Sequence, residues 1–66
     1  MPIIRVEMWA GATKEVKAKL AKALTEDLAT IADKGPQNIT VLFTDYETED
    51  WAIGGELASD IDWSKR

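Results

Sequence analysis

The second residue of the chain is Pro2, and an alternating segment follows it at once: Ile3-Ile4-Arg5-Val6-Glu7-Met8-Trp9. Methionine aminopeptidase accepts a small residue after the initiator, so excision of Met1 leaves proline at the amino terminus. A free terminal proline carries a secondary amine on a rigid ring, and the neutral amine is a base. Burial against an apolar wall disfavours the ammonium and lowers its pKa, toward the range where general-base catalysis is most efficient. With Met1 still attached, the same nitrogen is a tertiary amide with no basic lone pair. A proline that opens a strand is also ordinary structure, because its missing N–H does no harm there. Three further sets of residues have chemical potential. The run Glu47-Thr48-Glu49-Asp50 offers carboxylates able to activate water, or simply a solvated loop. Trp9, Trp51 and Trp63 supply apolar surface for packing or for a ligand. Arg5 is the only arginine apart from Arg66 and suits an anion or a surface ion pair.

The elements that must position these groups follow from the hydrophobic pattern. In the first strand Ile4, Val6 and Met8 share one face, with Ile3, Arg5, Glu7 and Trp9 on the other. The fully apolar set is the expected core face. Gly11 breaks the strand, and Thr13 is a suitable N-cap for a helix. From Lys14 to about Asp33, Val16, Leu20, Ala23, Leu24, Leu28 and Ile31 recur at three- and four-residue steps and predict one amphipathic helix. Glu15 and Lys19 form an i,i+4 pair on its wet side. Gly35-Pro36 marks the helix end. Ile39 to Tyr46 is rich in β-branched and aromatic residues and predicts a second strand, with Ile39, Val41 and Phe43 facing the helix. Strand, helix, strand implies a parallel pair with a right-handed crossover. Gly54-Gly55 in the tail suits the turn of a short hairpin. The expected fold class is therefore α/β (α+β): one β-α-β unit with a C-terminal β-hairpin, forming a single domain over residues 1–66.

Size then bears on assembly. A chain of 66 residues buries only about 60% of its unfolded surface, and scaffolds this small lean on disulfides, metals or oligomers. With no cysteine and no histidine, disulfides are excluded and the usual zinc and haem ligand sets are missing. The acidic residues lack calcium-loop spacing, so the expectation is no metal and no cofactor. Oligomerisation through the open sheet edges is the remaining device. Trp9, Leu42 and Tyr46 lie on the sheet face that one helix cannot cover, and subunit contact or a pocket has to bury them. A net charge of −4 argues against a nucleic-acid partner, which demands a basic surface. No apolar run approaches the roughly 20 residues of a membrane span and no secretory leader is evident, so the expected location is the cytoplasm.

Three features coincide: Pro2 at the head of a strand, a single β-α-β unit, and the tail motif Trp51-Ala52-Ile53-Gly54-Gly55-Glu56-Leu57-Ala58-Ser59. Together they resemble the 4-oxalocrotonate tautomerase family of the tautomerase superfamily, from Pro2 to about Asp60. The resemblance implies dimers joined into four-stranded sheets and three dimers in a hexamer. It also implies cofactor-independent keto–enol tautomerisation of a small unsaturated oxo acid, with Pro2 as catalytic base. Trp51 falls where the family usually has an aromatic wall, and Trp9 falls at an apolar position able to extend it.

The chain also departs from the family pattern. An arginine expected directly after Gly11 is replaced by Ala12, and one expected in the second strand is replaced by Thr40. A guanidinium is well shaped to hold a carboxylate, which leaves Arg5 as the candidate substrate-binding arginine. The departures resemble the proline-bearing subunit of the family's heterohexameric dehalogenase and hydratase members, whose partner subunit supplies the charged groups. A non-catalytic structural subunit and a free-standing hydrophobic binding domain are the readings from other functional classes.

Overall fold

The first strand, β1, runs from Ile3 to Trp9, and burial alternates along it residue by residue. Ile4, Val6 and Met8 are half-buried beneath the helix, while Ile3, Arg5, Glu7 and Trp9 are exposed on the opposite face. This is the expected two-residue period of a strand covered on one side. Gly11 follows with φ of 123°, a backbone conformation that side chains resist, and the chain turns back. The computed structural model describes residues 1–66.

Helix α1 spans Lys14–Ala32. Its first turn is capped by Thr13, whose Oγ1 accepts from the Val16 N–H at 3.2 Å. The sheet-facing stripe is Leu20, Leu24 and Leu28, flanked by Lys17, Ala21, Thr25 and Ala29, all half-buried. Three residues expected in that stripe lie outside it: Val16 is 45% exposed, Ile31 is 85% exposed, and Ala23 is exposed. Val16 and Ala23 sit on the flank of the stripe. Ile31 has the right angle but overhangs, since 19 helical residues extend about 28 Å against about 23 Å for a seven-residue strand. The expected Glu15–Lys19 pair does not form. Lys17 instead reaches Asp45 at 2.6 Å and ties the helix to the sheet; at this exposure such a pair contributes about 0.2–1 kcal/mol.

The helix ends where the apolar repeat predicts, but its C-cap is Asp33 and not Gly35. Asp33 occupies the left-handed region with φ of 55°, and the Lys34 N–H donates to the Ala29 carbonyl at 3.0 Å. Aspartate tolerates this conformation better than most residues. Gly35 then leads into a short 3-10 turn over Pro36–Asn38 that delivers the chain to strand β2, Thr40–Tyr46. Ile39, Val41 and Phe43 are half-buried against the helix, as the alternation predicts. The strands pair in parallel, from Ile3 opposite Thr40 to Trp9 opposite Tyr46. The chain is thus an α+β fold built on one strand-helix-strand unit.

The tail forms a hairpin of β3, Ala52–Ile53, and β4, Glu56–Leu57, around Gly54-Gly55. Both glycines have positive φ, 63° and 89°, as a two-residue type I′ turn requires. The hairpin is a separate sheet and does not extend the chain's own β1–β2 pair. Only Ala58 and Ile61 are fully buried. The radius of gyration is 15.4 Å, against about 11 Å for a compact domain of this length. The accessible surface is 5127 Å², roughly 960 Å² above the monomer expectation for this mass. That excess is close to the roughly 800 Å² that each partner contributes to a standard interface. No helix is long and apolar enough to cross a membrane. The Thr13 cap gives a direct test: Thr13→Ala should cost about 1 kcal/mol, read as a lower denaturation midpoint with helical signal retained at low temperature.

Candidate active site

Pro2 precedes β1, and its carbonyl accepts a hydrogen bond from the Thr40 N–H at 3.0 Å. That bond extends the ladder one step beyond the strand and fixes the Pro2–Ile3 peptide plane next to the ring. The ring is half-buried. Thr40 therefore stands beside Pro2, with a short hydroxyl where the family resemblance leads one to expect a guanidinium. Ala12 lies at the other end of β1, past Gly11, and is half-buried. Arg5 sits midway along β1 opposite Leu42, on the helix-free face, and makes no ion pair or hydrogen bond.

The C-terminal ends of the two strands carry an aromatic cluster. Trp9 packs edge-on against Trp51 with centroids 5.9 Å apart and against Trp63 at 5.4 Å. Tyr46 packs edge-on against Trp51 at 5.6 Å. Such T-shaped pairs contribute about 0.5–1.5 kcal/mol each beyond area burial. Trp51 is placed there because the Ala58 N–H donates to its carbonyl at 2.7 Å, closing the base of the hairpin. The indole N–H of Trp63 donates to the Ala58 carbonyl at 3.2 Å, so the same buried alanine holds both tryptophans.

The structure thus brings Trp9 and Trp51 together, as the sequence suggests, and adds Trp63 and Tyr46. It leaves Pro2 at the opposite end of β1, about 23 Å away along a seven-residue strand. A single chain encloses no pocket. The expected wall and the expected base are therefore two ends of the molecule, and they meet only if separate chains juxtapose them. Nowhere do three or more carboxylates gather closely enough to hold a metal ion.

One polar pair was not legible in the sequence. The Tyr46 hydroxyl donates to Glu7 Oε1 at 2.8 Å on the helix-free face. Alternation puts both residues on one face, but only the register reveals that their side chains meet. The hydrogen bond, then the negative charge of Glu7, then partial desolvation raise the Tyr46 phenol above its ordinary value. The neutral phenol is the donor, so the folded chain favours it. Its contribution to stability is complete below the unfolded phenol value and is lost as pH climbs through the folded one. Tyr46 is the only tyrosine, so tyrosinate absorbance should report its titration cleanly. The midpoint should lie above about 10 and fall toward it in Glu7→Gln.

Comparison with known proteins places this geometry. The family described as Tautomerase enzyme matches residues 2–61. A probable tautomerase of Ralstonia nicotianae is 33% identical over 57 residues, covering 86% of this chain and 88% of that protein. A 2-hydroxymuconate tautomerase of Pseudomonas sp. strain CF600 is 33% identical over 61 residues, covering 92% of this chain and 97% of its own length. Among solved structures, apo unfused 4-OT superposes with a TM-score of 0.87 at 36% identity, over 92% of this chain and 100% of that one. A heterohexameric 4-oxalocrotonate tautomerase from Chloroflexus aurantiacus gives 0.87 at 26% identity, over 92% and 98%. With the fold, the family match and curated relatives in agreement over nearly the whole length, the chain belongs to the 4-oxalocrotonate tautomerase family.

Proposed function

We propose that this chain is an isomerase that interconverts keto and enol forms of a small unsaturated oxo acid, with Pro2 as its general base. The observation that carries the reading is the placement of Pro2. It heads β1 with its carbonyl bonded to Thr40, in a chain one-third identical to a 2-hydroxymuconate tautomerase. After removal of Met1, the neutral ring nitrogen takes a proton from the enol oxygen or the activated carbon of the substrate. The electron pair released shifts along the conjugated system. The same proton is then delivered to another carbon, and the amine is regenerated. Atoms and electrons balance within the substrate, so no redox partner enters.

The environment that this step requires is apolar, because water stabilises the ammonium form of the proline. Trp51 and Trp9 are suited to supply that environment, but in one chain they lie at the far end of β1. The site is accordingly assembled between subunits, with the aromatic end of one chain set against the Pro2 end of another. Open strands, an uncovered sheet face and the excess surface of the single chain support this arrangement. A hexamer made as a trimer of dimers is the assembly that the family resemblance implies.

A second reading has specific support: a solved relative of nearly the same length is a heterohexamer. In that reading this chain is the proline-bearing half of a mixed assembly catalysing tautomerisation, dehalogenation or hydration. A partner subunit then supplies the cations that Ala12 and Thr40 do not. Four measurements test these proposals. Intact-mass analysis should show loss of Met1, and Pro2→Ala should lower turnover of enol-pyruvate-type substrates by about 10²–10⁴-fold; full activity in Pro2→Ala sinks the general-base role, and an inactive Met1-free chain leaves the structural-subunit role. Sedimentation should give six chains of 7.3 kDa each, about 44 kDa in a closed symmetric assembly. Activity that appears only after adding a co-purifying second chain selects the mixed hexamer.

A further inference from the structure

The family match ends at residue 61, but the chain stays ordered and returns to the aromatic end. Asp62 caps a last 3-10 turn over Trp63–Lys65, its Oδ1 accepting from the Ser64 N–H at 3.1 Å. Lys65 N–H and Arg66 N–H donate back to the carbonyls of Asp62 and Trp63 at 3.1 and 3.3 Å. Trp63 is seated by its ring contact with Trp9 and by its bond to the Ala58 carbonyl, and Ala58 itself is only 2% exposed. The guanidinium carbon of Arg66 lies 5.7 Å from the Trp63 ring centroid, within range of a cation–π interaction. Arg66 makes no ion pair, whereas neighbouring Lys65 faces Asp62. Its guanidinium donors are thus free, at the end of a run of edge-on rings that continues from Trp63 through Trp9 and Trp51 to Tyr46.

We propose that residues 62–66 form an anion-binding arm of the aromatic site, in which Trp63 seats the arm on Trp9 and Arg66 receives the carboxylate of the substrate. This rests on the oxo-acid reading above for the identity of its ligand, not for its existence. The electrostatics require such a group. Glu49 and Asp50 directly precede Trp51, Glu7 accepts from the Tyr46 hydroxyl, and Asp60 and Asp62 lie just before Trp63 in the chain. An anionic substrate approaching this end meets carboxylates unless a cation offsets them. Arg66 is the unpaired cation whose place there is fixed by an aromatic seat. Its planar, bidentate donor set also matches a carboxylate better than a lysine does.

Binding of a 2-oxo acid that cannot enolise tests the arm apart from turnover. Tryptophan fluorescence of the Met1-free protein, titrated with benzoylformate and with its uncharged methyl ester, should show the acid binding about tenfold more tightly, the scale of a charge-assisted hydrogen bond. Arg66→Ala should abolish that preference without weakening the ester. Arg66→Lys should restore part of it, and Trp63→Ala should lose it by unseating the arm. The arm is overturned if wild type fails to bind benzoylformate, if Arg66→Ala retains the preference, or if Trp63→Ala does. Pro2→Ala should keep the preference while losing turnover, so failure of the catalytic reading is visible separately. A wild type that prefers the acid yet stays inactive even with any co-purifying second chain refutes the base and supports the arm.

Discussion

The parallel pairing of β1 and β2 governs everything else in this molecule. A parallel pair requires a long crossover, and α1 is that crossover, laid across one face only. The register running from Ile3 opposite Thr40 to Trp9 opposite Tyr46 fixes both ends of the chain's chemistry. At one end it ties Pro2 to Thr40; at the other it stacks Trp9 and Tyr46 about Trp51. Shifting the register by one residue would invert every side chain of a strand between core and solvent. It would also separate Glu7 from Tyr46 and Lys17 from Asp45.

The cost of this arrangement is a poor core. One helix over two strands leaves both outer strand edges unpaired and much of the opposite sheet face and of the hairpin uncovered within the chain. Leu42 and Trp9 remain 42% and 38% exposed there, and Ile53 and Leu57 of the hairpin 36% and 40%. A chain that fully buries two residues does not owe its order to its own interior. The same incompleteness bears on function, because Pro2 and the tryptophan cluster sit at opposite ends of one strand. Stability and site assembly are met by the same subunit contacts in the reading proposed here, which links oligomerisation directly to activity.

Much of the frame was legible from residue pattern. Ile4, Val6 and Met8, and then Ile39, Val41 and Phe43, alternate as a one-sided sheet requires, and Thr13 marks the helix start by its hydroxyl. The failures have identifiable causes. The helix closes on Asp33 because a left-handed aspartate was available two residues before the glycine. Ile31 carries the helical period but not the burial, since periodicity reports an angle and not whether a sheet extends beneath it. Gly54-Gly55 folds the tail into its own two-stranded unit, which does not extend the chain's own β1–β2 pair. Arg5 stands mid-strand opposite Leu42 without an ion pair or hydrogen bond, whereas Arg66 lies over the Trp63 ring, and no local pattern signals either placement.

The sequence by itself determined the local chemistry: a proline that can become a terminal amine, one amphipathic helix, two strands with defined inner faces, and a glycine-glycine turn. These depend on residue type and near-neighbour spacing, which the chain carries intrinsically. Only the tertiary structure decided which distant groups meet. Glu7 with Tyr46, Lys17 with Asp45, and Trp9 with both Trp51 and Trp63 are separated by tens of residues, and their encounters depend on register and crossover geometry. The same geometry decided that Pro2 and Trp51 do not meet within one chain, because a seven-residue strand holds them apart.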